Sequence, residues 1–190
     1  MKYGGLFDTH AHYDHMGGMD DIRPYCQFGE INVYADPSAC QSMLQMLPYC
    51  FAENRYPGVP AIGLHEILPH EPLHIGDCEI VPFVVMHGKL PILGYRIGKF
   101  AYITDASFVA DSELAHLQDL EVLVVNALHI EKHYSHFNLE EALHFIEVVK
   151  PKHAYLIHVS HHMGLYADVE KILPPNVTLG YDGLKITIDK

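Results

Sequence analysis

The sequence predicts one α/β domain over residues 1–190, with strands gathered into sheets that helices cover. Three observations lead there. Short β-rich runs alternate with stretches of helical period along the whole chain. Apolar residues make up 49% of 190, enough for a sizeable core in one domain, and charged residues only 19%. No linker, repeat or low-complexity tract interrupts the pattern.

The elements follow in order. Residues 31–35 (INVYA) read as a strand. Asp36-Pro37 then reads as a helix N-cap with proline at the first helical position, leading a helix to about Met46. Residues 51–76 are rich in Pro, Gly and His and are expected to form a long connecting loop. Residues 79–86 (EIVPFVVM), 93–97 and 100–104 read as three consecutive strands with short turns, an antiparallel meander. Residues 121–126 are another strand. Asn138 caps the next helix with Glu141 as its capping-box partner, and Leu139, Ala142, Leu143, Ile146 and Val149 keep a 3.6 period until Pro151 closes it. Residues 153–158 (HAYLIH) read as a strand and 163–173 as a helix. Residues 177–181 and 184–188 are expected to form a hairpin about Asp182-Gly183.

Charge narrows the function classes. The formal net charge of -12 speaks against a nucleic-acid partner, which normally meets a basic face, but leaves room for a small phosphate ester held by metal ions. The 16 histidines are the outlier in composition, and histidine is the commonest metal ligand among side chains. Cys26, Cys40, Cys50 and Cys78 form no CxxC pair and are expected as buried free thiols in a reducing compartment. With no basic segment and apolar run at the start, and no 18-residue apolar stretch, a soluble cytoplasmic protein without a membrane partner is expected.

The chemistry concentrates in HAHYDH, His10 to His15, just after the apolar Gly5-Leu6-Phe7. On an extended segment His10 and His12 point to one side and can grip one divalent ion. Asp14 and His15 follow where the chain turns and can reach a second ion, with Gly17 and Gly18 allowing a tight bend. Three further positions repeat the theme of an apolar strand stopping at a polar residue: His87 in VVMHGK, Asp105 in AYITDAS and His158 in YLIHVSHH.

These motifs, in the order DTHAHYDHMGGMDDIRP, VVMHGKLPILGYRI, AYITDAS, SHFNLEEAL, YLIHVSHHMG and YDGLKI, resemble the metallo-β-lactamase fold superfamily. The branch they look most like contains the phosphodiesterases of phosphoribosyl cyclic phosphate, with tRNA 3′-processing endonucleases as more distant relatives. The resemblance implies an αββα sandwich with a dinuclear centre of two divalent metal ions, zinc or manganese. It assigns His10, His12 and His87 to one ion, Asp14, His15 and His158 to the other, and Asp105 as their bridge. A carboxylate rather than a thiolate at the bridge suits such ions, and two ions with a bridging hydroxide suit phosphoryl transfer. The resemblance also places His136 in the site as general acid or phosphate ligand, so that His136 and Asp14 are the catalytic expectations. His129 and His133 are expected as solvated loop residues. Asp8 or Thr9 is expected to orient a ligand histidine. Lys89 and Tyr95 are weaker pocket candidates, and Asp182 reads as a turn residue.

Two departures from that family stand out. Its members usually carry several strands and a glycine-rich turn ahead of HxHxDH, whereas nine residues precede His10 here, so the sandwich is expected to be N-terminally truncated. The sheet edge this would expose motivates a homodimer. The family's histidine at the place of His161 joins N-terminal cysteines in a structural zinc site. No cysteine precedes His10, so His161 and His162 are expected at the surface or behind a ligand, and no third metal is predicted.

The leading expectation is a metal-dependent phosphodiesterase acting on a small phosphodiester or a cyclic phosphate. A carboxyl ester, lactone or thioester hydrolase on the same site is the alternative enzyme. A metal-binding remnant without catalysis is the alternative outside enzymes.

Overall fold

The computed structural model describes residues 4–188. The chain divides into two compact units, one up to Asp77 and one from Cys78 onward.

In the first unit the chain order is β1 (Leu6–Phe7), α1 (Tyr13–Met16), a run of 3-10 turns over Gly17–Phe28, β2 (Ile31–Ala35), α2 (Pro37–Met46), α3 (Pro48–Phe51), β3 (Ile62–Glu66) and β4 (Leu73–Ile75). Strands β1, β2 and β3 pair in parallel in that order, with Val33 opposite both Leu6 and Leu64. Burial alternates along β2, so Ile31, Val33 and Ala35 face inward. Val33 packs with Met16, Met43, Leu47, Cys50 and Ile62 in one cluster. On the other face the rings of Phe7 and Tyr34 stack at 5.0 Å, and those of Tyr34 and His65 at 4.9 Å. Helix α2 starts as its sequence requires: the Asp36 carboxylate accepts from Ser38 N at 2.7 Å, and Pro37 occupies the first turn.

Residues 51–76 are not one loop, since they hold β3 and β4. The strand β3 is set by its neighbour rather than by propensity. At Gly63 the side-chain ends of Glu30 and Asn32 fill the space a Cβ would take, 2.6 Å from Glu30 Oε1 and 2.9 Å from Asn32 Oδ1. The tight bend expected from Gly17 and Gly18 is also absent. Gly17 has φ -60 and ψ -24, and neither residue has a positive φ, so both continue the helical backbone after α1.

The second unit holds β5 (Cys78–His87), β6 (Leu90–Ile97), β7 (Phe100–Tyr102), β8 (Val122–Asn126), α4 (Leu139–Val149), β9 (His153–Ile157), α5 (Tyr166–Val169) and β10 (Val177–Leu179). Their order across the sheet is β10-β9-β8-β7-β6-β5. The meander β5-β6-β7 is antiparallel as expected, and β7, β8, β9 and β10 pair in parallel. All five residues of β8 are buried, the continuous apolar run of a parallel strand covered on both faces. The core joins Phe83, Val85, Ile92, Ile103, Leu123, Val125 and Leu156 of the sheet to Phe145 and Ile146 of α4. The capping box of α4 forms in both directions, from Glu141 N to Asn138 Oδ1 at 2.9 Å and from Asn138 N to Glu141 Oε2 at 3.1 Å. Lys150, at φ 55, ends the helix before Pro151.

Two C-terminal expectations fail. The helix over 163–173 shrinks to a 3-10 turn at His161–Met163 and the single turn α5, because Gly164 at φ +107 breaks the backbone between them. The hairpin does not form: β10 pairs in parallel with β9, and residues 184–188 have no strand partner among the described residues. Asp182-Gly183 does make a turn, with Leu184 N donating to Tyr181 O at 3.1 Å.

All four cysteines are free, but only Cys40 and Cys50 are buried. Cys26 is half-buried, and Cys78 is exposed at the first position of β5. No helix among the described residues is long and apolar enough to cross a membrane.

Candidate metal centre

The first unit presents HAHYDH as a compact cluster. Strand β1 ends at Phe7, Asp8 N donates to Tyr34 O at 2.9 Å, and His12 becomes the N-cap of α1, which carries Asp14 and His15. His10 Nε2 lies 3.0 Å from His12 Nδ1, and the rings of His10 and His15 are 4.3 Å apart. Two imidazole nitrogens that close need a proton or a cation between them. The spacing is near the roughly 3.3 Å that separates two nitrogen ligands on one tetrahedral ion. Thr9 Oγ1 sits 3.0 Å from His10 Nδ1 and turns the Nε2 side of the ring toward the cluster, as expected of Thr9. Asp14 Oδ2 and His15 Nε2 are 3.4 Å apart on α1. Asp8 is buried behind them. Burial pushes its carboxyl up to about 7, with His15 opposing the rise and Asp36 adding to it.

The second unit gathers its site around Asp105. Its carboxylate is 1% exposed, with His136 Nε2 at 3.2 Å and His87 Nε2 at 4.0 Å from Oδ2, and His158 Nε2 at 3.3 Å from Oδ1. Each residue is placed by a strand end, β5 for His87, β7 for Asp105 and β9 for His158. Asp105 and His158 take positive φ, 57 and 53, which non-glycine residues adopt at some cost and which aims both side chains off their strand ends. His87 Nδ1 donates to Ser135 O at 2.7 Å, which leaves its Nε2 with a lone pair on the Asp105 side.

Supporting groups complete this arrangement. Thr104 Oγ1 donates to Asp105 Oδ1 at 2.6 Å. Ser107 Oγ donates to Met86 O at 3.0 Å and accepts from Gly88 N at 2.9 Å, pinning the Asp105 loop to the end of β5. Thr104, Ser135 and Asn126 were not singled out in the sequence. Asn126 closes the apolar strand VLVVN, the same signal that marks His87 and Asp105. His133 is not the solvated residue expected, for it is half-buried with its Nδ1 3.1 Å from that of His136. Of the weaker candidates, Tyr95 is buried in β6, Lys89 is exposed in the β5–β6 turn, and Asp182 is exposed. His161 and His162 are both exposed.

The donor set suits a divalent ion. His10, His12, Asp14, His15, His87, Asp105 and His158 all belong to His/Asp groups able to hold a metal. Imidazole and carboxylate without thiolate favour borderline or hard ions.

Comparison with known proteins shows the family and the fold. Residues 3–159 match the Beta-lactamase superfamily domain. A Porphyromonas gingivalis (strain ATCC BAA-308 / W83) protein named octanoyltransferase is 41% identical over 183 residues, which are 96% of this chain and 37% of that protein. The chain thus spans just over a third of that relative's length. Among solved structures, a diphosphatase from the PhnP family superposes with a TM-score of 0.88 at 29% identity, covering 98% of this chain and 72% of that one. Zinc-bound PqqB from Methylobacterium extorquens superposes with a TM-score of 0.75 at 15% identity, covering 97% of this chain and 73% of that one.

Proposed function

This chain belongs to the β-lactamase superfamily domain family and has the metallo-β-lactamase fold, and we propose that it is a metal-dependent hydrolase of small phosphodiesters, cyclic ones included. The observation that carries this reading is Asp105, a buried carboxylate ringed by His87, His136 and His158. His10, His12 and His87 would hold one divalent ion, and Asp14, His15 and His158 a second, with Asp105 shared. Asp14 enters the reaction as a ligand. Zinc or manganese, when bound, supplies Lewis acidity and an activated water.

The chain's own residues do the rest. Thr9 and the Ser135 carbonyl orient His10 and His87. His136, with Nε2 beside Asp105, donates a proton to the oxygen that leaves phosphorus. The similar structure at 29% identity is described as a diphosphatase, and a diphosphate, like a phosphodiester, is cleaved by attack at phosphorus. The substrate is a small molecule, in keeping with the net charge of -12.

A second reading, an acyl thioester hydrolase, is favoured by the octanoyltransferase name of the 41% identical relative. It is supported by an open groove of about 410 Å³ beside α4, where Phe108, Val109, Phe137 and Phe145 offer apolar surface between polar residues such as Lys132 and Glu140. Phe137, the residue after His136, is one of the residues lining that groove.

The deciding experiment loads the protein with zinc or manganese, removes the excess, counts the metal and assays a cyclic phosphodiester against an octanoyl thioester. About two ions per chain and phosphodiester turnover, lost in Asp105→Ala, are expected. Turnover of the thioester alone establishes the second reading. Metal uptake without hydrolysis of either makes the chain a binding module.

A further inference from the structure

His133 and His136 meet in the loop that leads into α4. Their Nδ1 atoms are 3.1 Å apart, and the Ser135 hydroxyl lies 3.1 Å from His136 Nδ1 and 3.3 Å from His133 Nδ1. The Ser135 backbone N–H donates to His133 Nδ1 at 3.4 Å. An N–H can only donate, so His133 Nδ1 is an acceptor and the shared proton belongs to His136 Nδ1. The Ser135 hydroxyl, 3.1 Å from His136 Nδ1, is a second acceptor within reach of the same N–H. On its far side the His136 ring presents Nε2 to Asp105 Oδ2 at 3.2 Å, and the His158 ring stacks on it at 5.0 Å.

We propose that His133 is a positioning residue for His136, holding its Nδ1–H so that the ring stays turned with Nε2 toward the reacting group. The inference rests on the reading of His136 as the proton donor. In that step a water oxygen bonds to phosphorus and loses a proton to solvent, the bond between phosphorus and the leaving oxygen breaks with its electron pair going to that oxygen, and the Nε2 proton of His136 passes to it. His136 is left neutral with its proton on Nδ1, the tautomer that His133 and Ser135 accept from. Without His133 only the rotatable Ser135 hydroxyl accepts from Nδ1–H, and the ring is held less firmly in that orientation and tautomer, as a catalytic histidine is when its orienting partner is removed. Burial, together with His136, His129 and His87 around it, holds the His133 imidazole below its ordinary value, which keeps its acceptor lone pair available. The rings of Tyr134 and His129 lie 4.9 Å and 5.7 Å from that of His133.

The test uses the metal-loaded full chain with H133A, H133N and H136A. Asparagine places an acceptor near the Nδ1 position. In imidazole NMR spectra of ¹⁵N-histidine protein, the downfield Nδ1–H signal assigned by its loss in H136A should vanish in H133A and persist in H133N. In kinetics, H133A should lower kcat about 10- to 100-fold on a phosphodiester with an alkoxide leaving group, with little change in KM or on a nitrophenolate leaving group. H133N should recover part of the loss.

A signal that survives in H133A, or one missing from the wild type, overturns the proposal without any assay. So does an equal loss on both leaving groups at unchanged metal content and melting temperature. If H136A loses no more activity on the alkoxide than on the nitrophenolate leaving group, the acid role of His136 fails, while the spectra still judge the contact. Should H133A not fold, the wild-type and H133N spectra decide.

Discussion

Asn126 holds the backbone of Ala106 with both ends of its amide, accepting from Ala106 N at 2.7 Å and donating to Ala106 O at 3.0 Å. Both residues are fully buried, and Ala106 directly follows Asp105. The end of β8 thereby fixes the turn that aims the Asp105 carboxylate. Asn126→Leu keeps the volume but strands two buried backbone groups. It should cost about 2 kcal/mol in urea unfolding and weaken metal uptake. Unchanged stability would show that the turn holds itself.

Thr104 acts on the same carboxylate from the other side, through its hydroxyl at 2.6 Å from Asp105 Oδ1. Thr104→Val removes that donor and keeps the shape. Metal affinity should fall about 10- to 100-fold, measured by competition with a chelator, with the fold intact by circular dichroism.

Asp8 sets a pH dependence for the metal-free protein. Its folded carboxyl titrates at about 7 against an ordinary 3.8. From about pH 4 to 7 the native state therefore holds a proton that the unfolded chain has lost. Stability should fall as pH rises through this window and level off above it. Asp8→Asn should remove the fall, stabilising the apoprotein at pH 8 by up to about 4 kcal/mol and much less at pH 4. An equal gain at both pH values would show that Asp8 does not titrate in this range.

Gly94 faces Phe83 across the β5–β6 pair, and a Cβ there would lie 2.7 Å from the ring. Gly94→Ala should destabilise by about 1–3 kcal/mol in thermal unfolding. Combining it with Phe83→Leu should cost less than the sum of the two single changes, because the smaller side chain vacates the space.

Local chemistry made much of this molecule legible in the sequence. Asp36-Pro37 and the Asn138–Glu141 pair state where α2 and α4 begin, because a cap is satisfied within three residues of itself. The runs that became β5, β8 and β9 are apolar enough to declare themselves, and the residues that stop them include His87 and His158. The missed elements are short and depend on neighbours. Strand β3 contains a glycine and a histidine and exists because β2 offers it a partner. Strand β10 finds its pairing on β9, about twenty residues earlier, rather than in the turn that follows it.

The sequence by itself determined the inventory: which imidazoles and carboxylates stand at which strand ends, and so which chemistry is within reach. Tertiary structure decided how those groups are held. The Ser135 carbonyl that orients His87 comes from 48 residues away, and the Asn126 amide that fixes the Asp105 turn from 20 residues beyond Ala106. Only the folding of the loop before α4 made His133 a partner of His136 instead of a solvated side chain. The physical reason is range. Propensity and capping act over one or two turns of chain, whereas the direction of a buried hydrogen bond is set by whichever strand the fold lays beside it.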